Sequence, residues 1–328
     1  MADPPNSRLP TPVPIGRQKW PATTKPVLSV RCITYNHAKF IAQCIEGFLI
    51  QETTFPVEII IHDDASTDGT ADVIRGYIER YPLLIKGVLQ PKNLYSQGIP
   101  RDSFIKPLLR GDYIAVCEGD DYWTDPRKLE TQVSFLEKNP DYVISGHDAS
   151  IVDETGTLVC CSKLPEAQKR DHSGEELIRA EAWILTMSWV HRNVALDNPI
   201  ERRRVINGDT FFVSLLGHHG KSKHHDDIMP AVYRKHGGAI WSALSDRKQQ
   251  EQRCNLRFWL YTYYARIGEA QYAEYYWDRY LDSVFRLVPT RVFARVLVDR
   301  LFRLDRLEHL ARAVRRRLIP RCRDVSSR

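Results

Sequence analysis

The sequence predicts an α/β fold, a mostly parallel central sheet with flanking helices, followed by a C-terminal helical appendage. Three observations predict it. Short apolar segments alternate with amphipathic helical ones between Val27 and Ser145. Three of the apolar segments end in polar clusters, Thr34-Tyr35-Asn36, Asp63-Asp64 and Glu118-Gly119-Asp120-Asp121. Beyond residue 244 the pattern becomes aromatic-rich and then Arg-rich, with helical spacing. Strand–helix–strand alternation with short apolar strands implies a sheet covered on both faces. Such sheets bind ligands beyond the carboxyl ends of their strands, where the polar clusters fall.

Residues 1–25 are Pro-rich and polar and read as a flexible arm. Val27–Thr34 is a buried strand by its apolar run before a polar turn. Ala38–Ile50 places Phe40, Ile41, Cys44, Ile45, Phe48 and Leu49 on one helical stripe. Val57–Ile61, dense in β-branched residues, is the second strand. A helix over Thr70–Arg80 turns Val73, Ile74, Tyr77 and Ile78 inward, with Asp68 placed to cap it. Leu83–Leu89 is the third strand and Asp112–Cys117 the fourth. Pro126 opens the next helix at a favoured position, and Tyr142–Ser145 is the fifth strand. After residue 150 the pattern is less regular. Residues 245–283 and 289–319 are helical, the second with Phe293, Leu297, Leu301 and Leu304 on one stripe. The expected domains are an arm over 1–25, one α/β domain over 26–243, and a helical extension over 244–328.

Composition bounds the function. The chain has 328 residues, 43% hydrophobic and 27% charged, which is ordinary globular usage. No run of eighteen apolar residues and no leader pattern occurs, so a cytoplasmic location is expected. The seven cysteines include no C-x-x-C pair, and reduced thiols are expected. The net charge of +6 is uneven: residues 286–323 hold twelve Arg against three carboxylates, a local +9 that leaves −3 elsewhere. A basic amphipathic tail on an acidic body points to an anionic surface, such as the inner face of a membrane, or to a helix packed on the domain.

The Glu118–Asp121 cluster is the strongest chemical signal. Carboxylates packed at a strand end repel unless a cation or a proton joins them. Hard divalent cations take oxygen ligands, often one or two carboxylates plus substrate phosphate oxygens. An acidic turn capping the next helix is the bland alternative. Asp63 and Asp64 at a strand end can accept from a base N–H or a ribose hydroxyl.

Three motifs, Val30–Asn36 (VRCITYN), Ile59–Thr70 (IIIHDDASTDGT) and Glu118–Trp123 (EGDDYW), occur in order. Together they resemble family 2 inverting glycosyltransferases of the Rossmann-like GT-A fold, over roughly residues 26–243. The resemblance implies transfer of a sugar from a nucleotide-diphosphate donor, UDP favoured, to a hydroxyl of a glycan or lipid-linked acceptor. It implies a role in cell-surface polysaccharide or glycoconjugate assembly. Thr34, Tyr35, Asn36, Asp63, Asp64, Asn93, Glu118, Asp120 and Asp121 match its nucleotide-sugar positions. Glu118 stands where the family's first Asp is usual, so Asp120 is the implied metal ligand for Mg²⁺ or Mn²⁺. Gly208-Asp209-Thr210-Phe211-Phe212 resembles the segment bearing the catalytic base, here Asp209. Tyr233–Ser242 looks like the closing loop, with His236 in the place of a metal or diphosphate contact. Thr186, Ser188 and His191 fall where acceptor contacts are expected.

A zinc site over His218, His219, His224, His225, Asp226 and Asp227 fits no standard spacing. A nucleotidyltransferase is the first rival, disfavoured because Thr34-Tyr35-Asn36-His37 replaces the Gly- and basic-rich loop it needs. A non-catalytic carbohydrate- or nucleic-acid-binding protein is the second. The acidic clusters oppose phosphate backbones, so no nucleic-acid partner is expected.

Overall fold

The structure is a computed structural model describing residues 8–99, 102–196, 198–238, 241 and 244–287. Its first half alternates strand and helix: β1 Leu28–Thr34, α1 Ile41–Leu49, β2 Val57–Asp63, α2 Thr70–Arg80, β3 Ile85–Leu89, β4 Tyr113–Glu118 and α3 Lys128–Lys138. There follow β5 Tyr142–His147, β6 Ala149–Val152, β7 Leu158–Cys160, β8 Val190–Arg192, α4 Gly208–Leu216, β9 Lys221–His225 and β10 Ala231–Arg234. Helices α5 Asp246–Arg266 and α6 Ala270–Leu287 end the described chain.

Seven strands form the central sheet in the order β9-β5-β8-β4-β1-β2-β3. Strands β1, β2, β3 and β4 are parallel neighbours, as are β9 and β5. Only β8 runs antiparallel, between β4 and β5, with Val190 opposite both Ala115 and Ser145. A smaller sheet, β10-β6-β7, pairs β10 parallel to β6. The bridge between Tyr122 and Val232 ties that sheet to the end of β4.

Every residue of β2 is buried, as a strand covered on both faces requires. On α1, Ile41, Ile45 and Phe48 are fully buried against this sheet. Each such side chain is worth about 1.5–3 kcal/mol relative to exposure. Phe48 meets Trp123 with ring centroids 4.7 Å apart, which joins α1 to the segment after β4.

Three expectations change. The arm expected over residues 1–25 is docked from residue 8 onward: Val13-Pro14 pairs with Glu52-Thr53, and Ile15 is buried. The helix after Pro126 begins at Lys128, because Asp125 folds back to accept from the Arg127 N–H. The aromatic stretch 245–283 is two helices, broken where Gly268 takes a left-handed φ of 83°. Only glycine adopts that conformation without a Cβ penalty. The paired helices bury Leu256, Leu260, Tyr264 and Tyr276 against Phe211 and Leu215 of α4.

Cys32, Cys44 and Cys117 are free thiols in the core, Cys254 is also buried, and Cys160 and Cys161 are exposed. The helix expected over 289–319 lies outside the described residues, as does nearly all of the basic tail over 286–323. Among the described residues no helix is long and apolar enough to cross a membrane.

Candidate active site

The carboxyl ends of β1, β2 and β4 meet along one rim of the central sheet. After β1 the chain turns sharply at Asn36, whose φ is 55°, a conformation Asn tolerates better than most residues. After β2, Ala65 also takes a left-handed φ of 61°, a strain of about 1–2 kcal/mol for a residue with a Cβ. The two strained turns hold each other. The N–H of Asn36 donates to Ser66 Oγ at 2.8 Å, and the N–H of Thr67 donates to Asn36 Oδ1 at 2.8 Å. The N–H groups of His37 and Ala38 donate to Thr70 Oγ1 and Asp68 Oδ2, each at 2.9 Å. Tyr35 is left exposed on this double turn, while Thr34 is buried beneath it.

The acidic residues after β2 turn inward. Asp63 accepts from the backbone N–H and the hydroxyl of Ser66. Asp64 is fully buried and accepts from the N–H groups of Leu94 and Tyr95 at 2.7 and 3.1 Å. Asn93 is drawn into the same staple: its amide donates to the Asp64 carbonyl, and its Oδ1 caps Ser96. These three side chains are committed to loop geometry.

After β4 the Glu118–Asp121 corner turns directly above Thr34. Gly119 makes that possible: a Cβ there would lie 2.5 Å from Thr34 Oγ1. Glu118 is exposed, Asp120 half-buried and Asp121 buried, with one oxygen of each within 4.8 Å of the others. Asp120 Oδ2 lies 2.9 Å from His236 Nε2 and 3.7 Å from His37 Nε2. Its Oδ1 is buried without a partner. Burial pushes the Asp120 carboxyl up, but the His236 bond and the charge of His37 outweigh it and hold the pKa below the ordinary value. Asp121 goes the other way. Burial and the neighbouring Asp120 charge push it well above the usual carboxylate range, against the N–H of Arg234.

Arg234, at the end of β10, is the strut of this corner. Its N–H donates to Asp121 Oδ1 at 2.9 Å, its Nε to the Asp120 carbonyl, and a guanidinium nitrogen to Gln43 Oε1 at 2.7 Å. The guanidinium also covers the Phe40 ring at 4.7 Å. The following loop therefore returns His236 to the corner.

Asp209 stands at the start of α4. Thr186 Oγ1 donates to its Oδ2 at 3.4 Å, and the Thr210 N–H donates to its Oδ1 at 2.8 Å. Desolvation by surrounding protein raises its pKa, opposed by the Thr210 N–H, and its open surface limits the rise. The two halves connect through the Thr186–Ser188 turn, because Trp123 Nε1 donates to the Met187 carbonyl at 2.6 Å. A path of packed residues thus runs from the Asp120 corner through Trp123 and Met187 to Thr186 and Asp209.

Of the expected acceptor contacts, only Thr186 reaches Asp209. Ser188 is buried and bonded to the Leu185 carbonyl. His191 is buried against Phe212, and burial pushes its pKa down to about 4. Among the described residues, the His218–Asp227 segment does not gather three ligand atoms at one point. His224 and His225 pair instead with Asp226 and Asp227. Sequence reasoning missed His37 and Arg234 as site residues. The one signal for His37 was its place directly after the first motif.

The Glycosyl transferase family 2 model matches residues 29–163. Rv1520, an uncharacterized protein of Mycobacterium tuberculosis, is 35% identical over 234 residues, covering 68% of this chain and 63% of that protein. The chain thus spans under two thirds of that relative's length. The Escherichia coli protein WfaP, named as a UDP-Glc:alpha-D-GlcNAc-diphosphoundecaprenol beta-1,3-glucosyltransferase, is 34% identical over 113 residues, covering 34% of this chain and 41% of that protein. Among solved structures, S. aureus TarS 1–349 in complex with UDP-GlcNAc superimposes with a TM-score of 0.51 at 17% identity. That match covers 71% of this chain and 66% of TarS 1–349. With the parallel sheet and the rim of motifs at its carboxyl ends, residues 29–163 match glycosyl transferase family 2 and the fold is that of the GT-A glycosyltransferases.

Proposed function

We propose that the chain transfers a sugar from a UDP-linked donor to an acceptor hydroxyl, inverting the anomeric carbon, in assembly of a surface polysaccharide or glycoconjugate. One observation carries this: Asp120 and Asp209, distant in sequence, sit at the two ends of the path through Trp123, Met187 and Thr186. The family match supports the reaction class, and the relative named for transfer from UDP-glucose supports the donor.

The donor side is the rim of β1, β2 and β4. Tyr35 and Glu118, both exposed, face the nucleotide sugar, while Asp63, Asp64, Asn93 and Asp121 hold the loops that shape its bed. The corner fits a divalent cation. Asp120 offers a buried oxygen that no protein donor satisfies, and His236 brings an imidazole to the same carboxylate. A buried carboxylate oxygen without a partner is costly unless a cation meets it. Asp120 and His236 would hold Mn²⁺ or Mg²⁺, which supplies Lewis-acid neutralisation of the leaving diphosphate. Asp209 takes the proton of the attacking hydroxyl, and Thr186 fixes its carboxylate.

Beside Asp209, the segment Ile200–Arg204 exposes Ile200 together with Arg203 and Arg204. That mixture of apolar and cationic surface suits an acceptor on a lipid diphosphate. The basic stretch 286–323 would keep the enzyme at the anionic cytoplasmic face of a membrane.

Asp209→Asn tests the assignment. Turnover should fall about 10²–10⁴-fold, the usual worth of a general base, while donor binding by thermal shift stays near wild type. In the wild type, the base must be ionised, so turnover falls as pH drops through a pKa lying above the ordinary Asp value. Near-normal turnover in the variant rejects Asp209 as base.

A further inference from the structure

We propose that His37 is a third ligand beside Asp120 and His236, forming a His–Asp–His site that prefers first-row transition dications over Mg²⁺ or Ca²⁺. The inference rests on the reading of Asp120 as a cation ligand and adds a residue and a metal class to it.

His37 is held in place from two sides. Its main-chain N–H is fixed on Thr70 Oγ1, and its ring packs between Phe40, at 6.3 Å, and the edge of His236, at 5.6 Å. Its side chain is 14% exposed, as is that of Asp120. Its Nδ1 is buried without a hydrogen-bond partner, and its Nε2 faces Asp120 Oδ2 at 3.7 Å. One donor atom from each of His37, Asp120 and His236 lies within 4.8 Å of the other two.

These spacings leave room for a shared ion. Octahedral bonds of ~2.1 Å set neighbouring ligand atoms ~3.0 Å apart and opposite ones ~4.2 Å apart. The 2.9 Å separation equals that of a neighbouring pair, and the 3.7 Å one lies between a neighbouring and an opposite pair, so a small turn of the His37 ring completes the site. Packing alone accounts poorly for the arrangement, because an apolar ring at residue 37 would fill the same space without bringing a lone pair to a buried carboxylate. The donor set fixes the metal class. Carboxylates alone suit Mg²⁺ and Ca²⁺, whereas two imidazoles shift preference along the transition series.

The test uses the full chain without donor. Mn²⁺ binding is titrated from the loss of the free-ion electron paramagnetic resonance signal, with Mg²⁺ as competitor. Nitrogen ligation is counted from the ¹⁴N modulation of the bound ion's spin echo. The wild type should show two coordinated nitrogens. His37→Gln should lose one of them, weaken Mn²⁺ binding at least ~10-fold, and lose most of the preference over Mg²⁺. His37→Asp, which keeps a ligand, should recover Mn²⁺ affinity with one nitrogen and bind Mg²⁺ better. Unchanged affinity and two nitrogens in His37→Gln would overturn the assignment of His37, leaving the Asp120 reading intact. Asp120→Asn separates the two: if it binds Mn²⁺ as the wild type does, the cation site itself is wrong.

Discussion

Replacing Gly119 by alanine tests whether the corner after β4 must sit directly on β1. The added Cβ would lie 2.5 Å from Thr34 Oγ1, 2.7 Å from Thr34 Cβ and 3.1 Å from Ile41 Cδ1. Ile41 can yield at its far methyl. Thr34 cannot, since it is 1% exposed and its Cβ is fixed to a central strand. Ordinary contact begins near 3.4 Å, so the corner must lift by about 0.9 Å. Overpacking of this kind costs about 1–3 kcal/mol, or a Tm lowered by roughly 2–10 °C. The functional loss should be larger than the stability loss. Asp120 follows Gly119 and would move relative to His37 and His236 by a similar distance, and misplacement of ~1 Å can cost ~10²-fold in turnover. Thermal unfolding and steady-state donor turnover measure the two. Thr34→Gly in the same chain removes both close atoms, so the double variant should regain part of each, a coupling of about 1 kcal/mol. Wild-type Tm and turnover in Gly119→Ala would refute the close approach as a requirement.

Asp64→Asn should destabilise the protein by about 2–3 kcal/mol, because one of the two bonds from the Leu94 and Tyr95 N–H groups loses its charged acceptor. Hydrogen exchange should quicken at those two amides, and unchanged exchange would contradict the staple. Lys128 is fully buried, with its Nζ on Gln132 Oε1 at 2.7 Å, and burial pushes its pKa down to about 7. The unfolded chain binds that proton up to the ordinary value of 10.5, so stability should rise with pH between about 7 and 10.5 and be lost as pH falls through 7. The slope from this one group is at most ~1.4 kcal/mol per pH unit. Lys128→Met should flatten that rise in urea unfolding series, and parallel profiles for the two proteins would reject it.

Strands and helices of the first half were legible because each carries its own period. Helix α2 runs from Thr70 to Arg80 as its apolar spacing predicts, and β1, β2 and β4 fall within two residues of the expected bounds. Strand β8 was not legible. Its three residues take a place between β4 and β5 through contacts with strands far away in sequence. The break at Gly268 was hidden by tyrosines and tryptophans continuing at helical spacing on both sides. At the site, the sequence shows which carboxylates lie at strand ends but not which way they point. Asp64 reads as a ligand-facing residue until Leu94 and Tyr95, thirty residues on, are seen to occupy it. His37 reads as a loop residue until the His236 loop returns beside it.

The two adjacent carboxyls of the corner show why direction matters more than count. Burial pushes both Asp120 and Asp121 upward. Asp120 is turned toward two imidazoles, and their bond and charge reverse the push. Asp121 is turned toward a single N–H of Arg234, and the Asp120 charge adds to its burial. Pairs of neighbouring acids whose surroundings drive them apart commonly divide their roles. Here Asp120, held below its ordinary pKa, faces the histidines and the rim, while Asp121, pushed above it, closes a hydrogen bond inside the protein and joins the small sheet to β4. A cation at this corner would therefore meet the negative charge on the side open to a donor diphosphate. The carboxyl behind it, pushed upward by burial and by the Asp120 charge, is turned into the protein onto the Arg234 N–H, which ties the end of β10 to this corner.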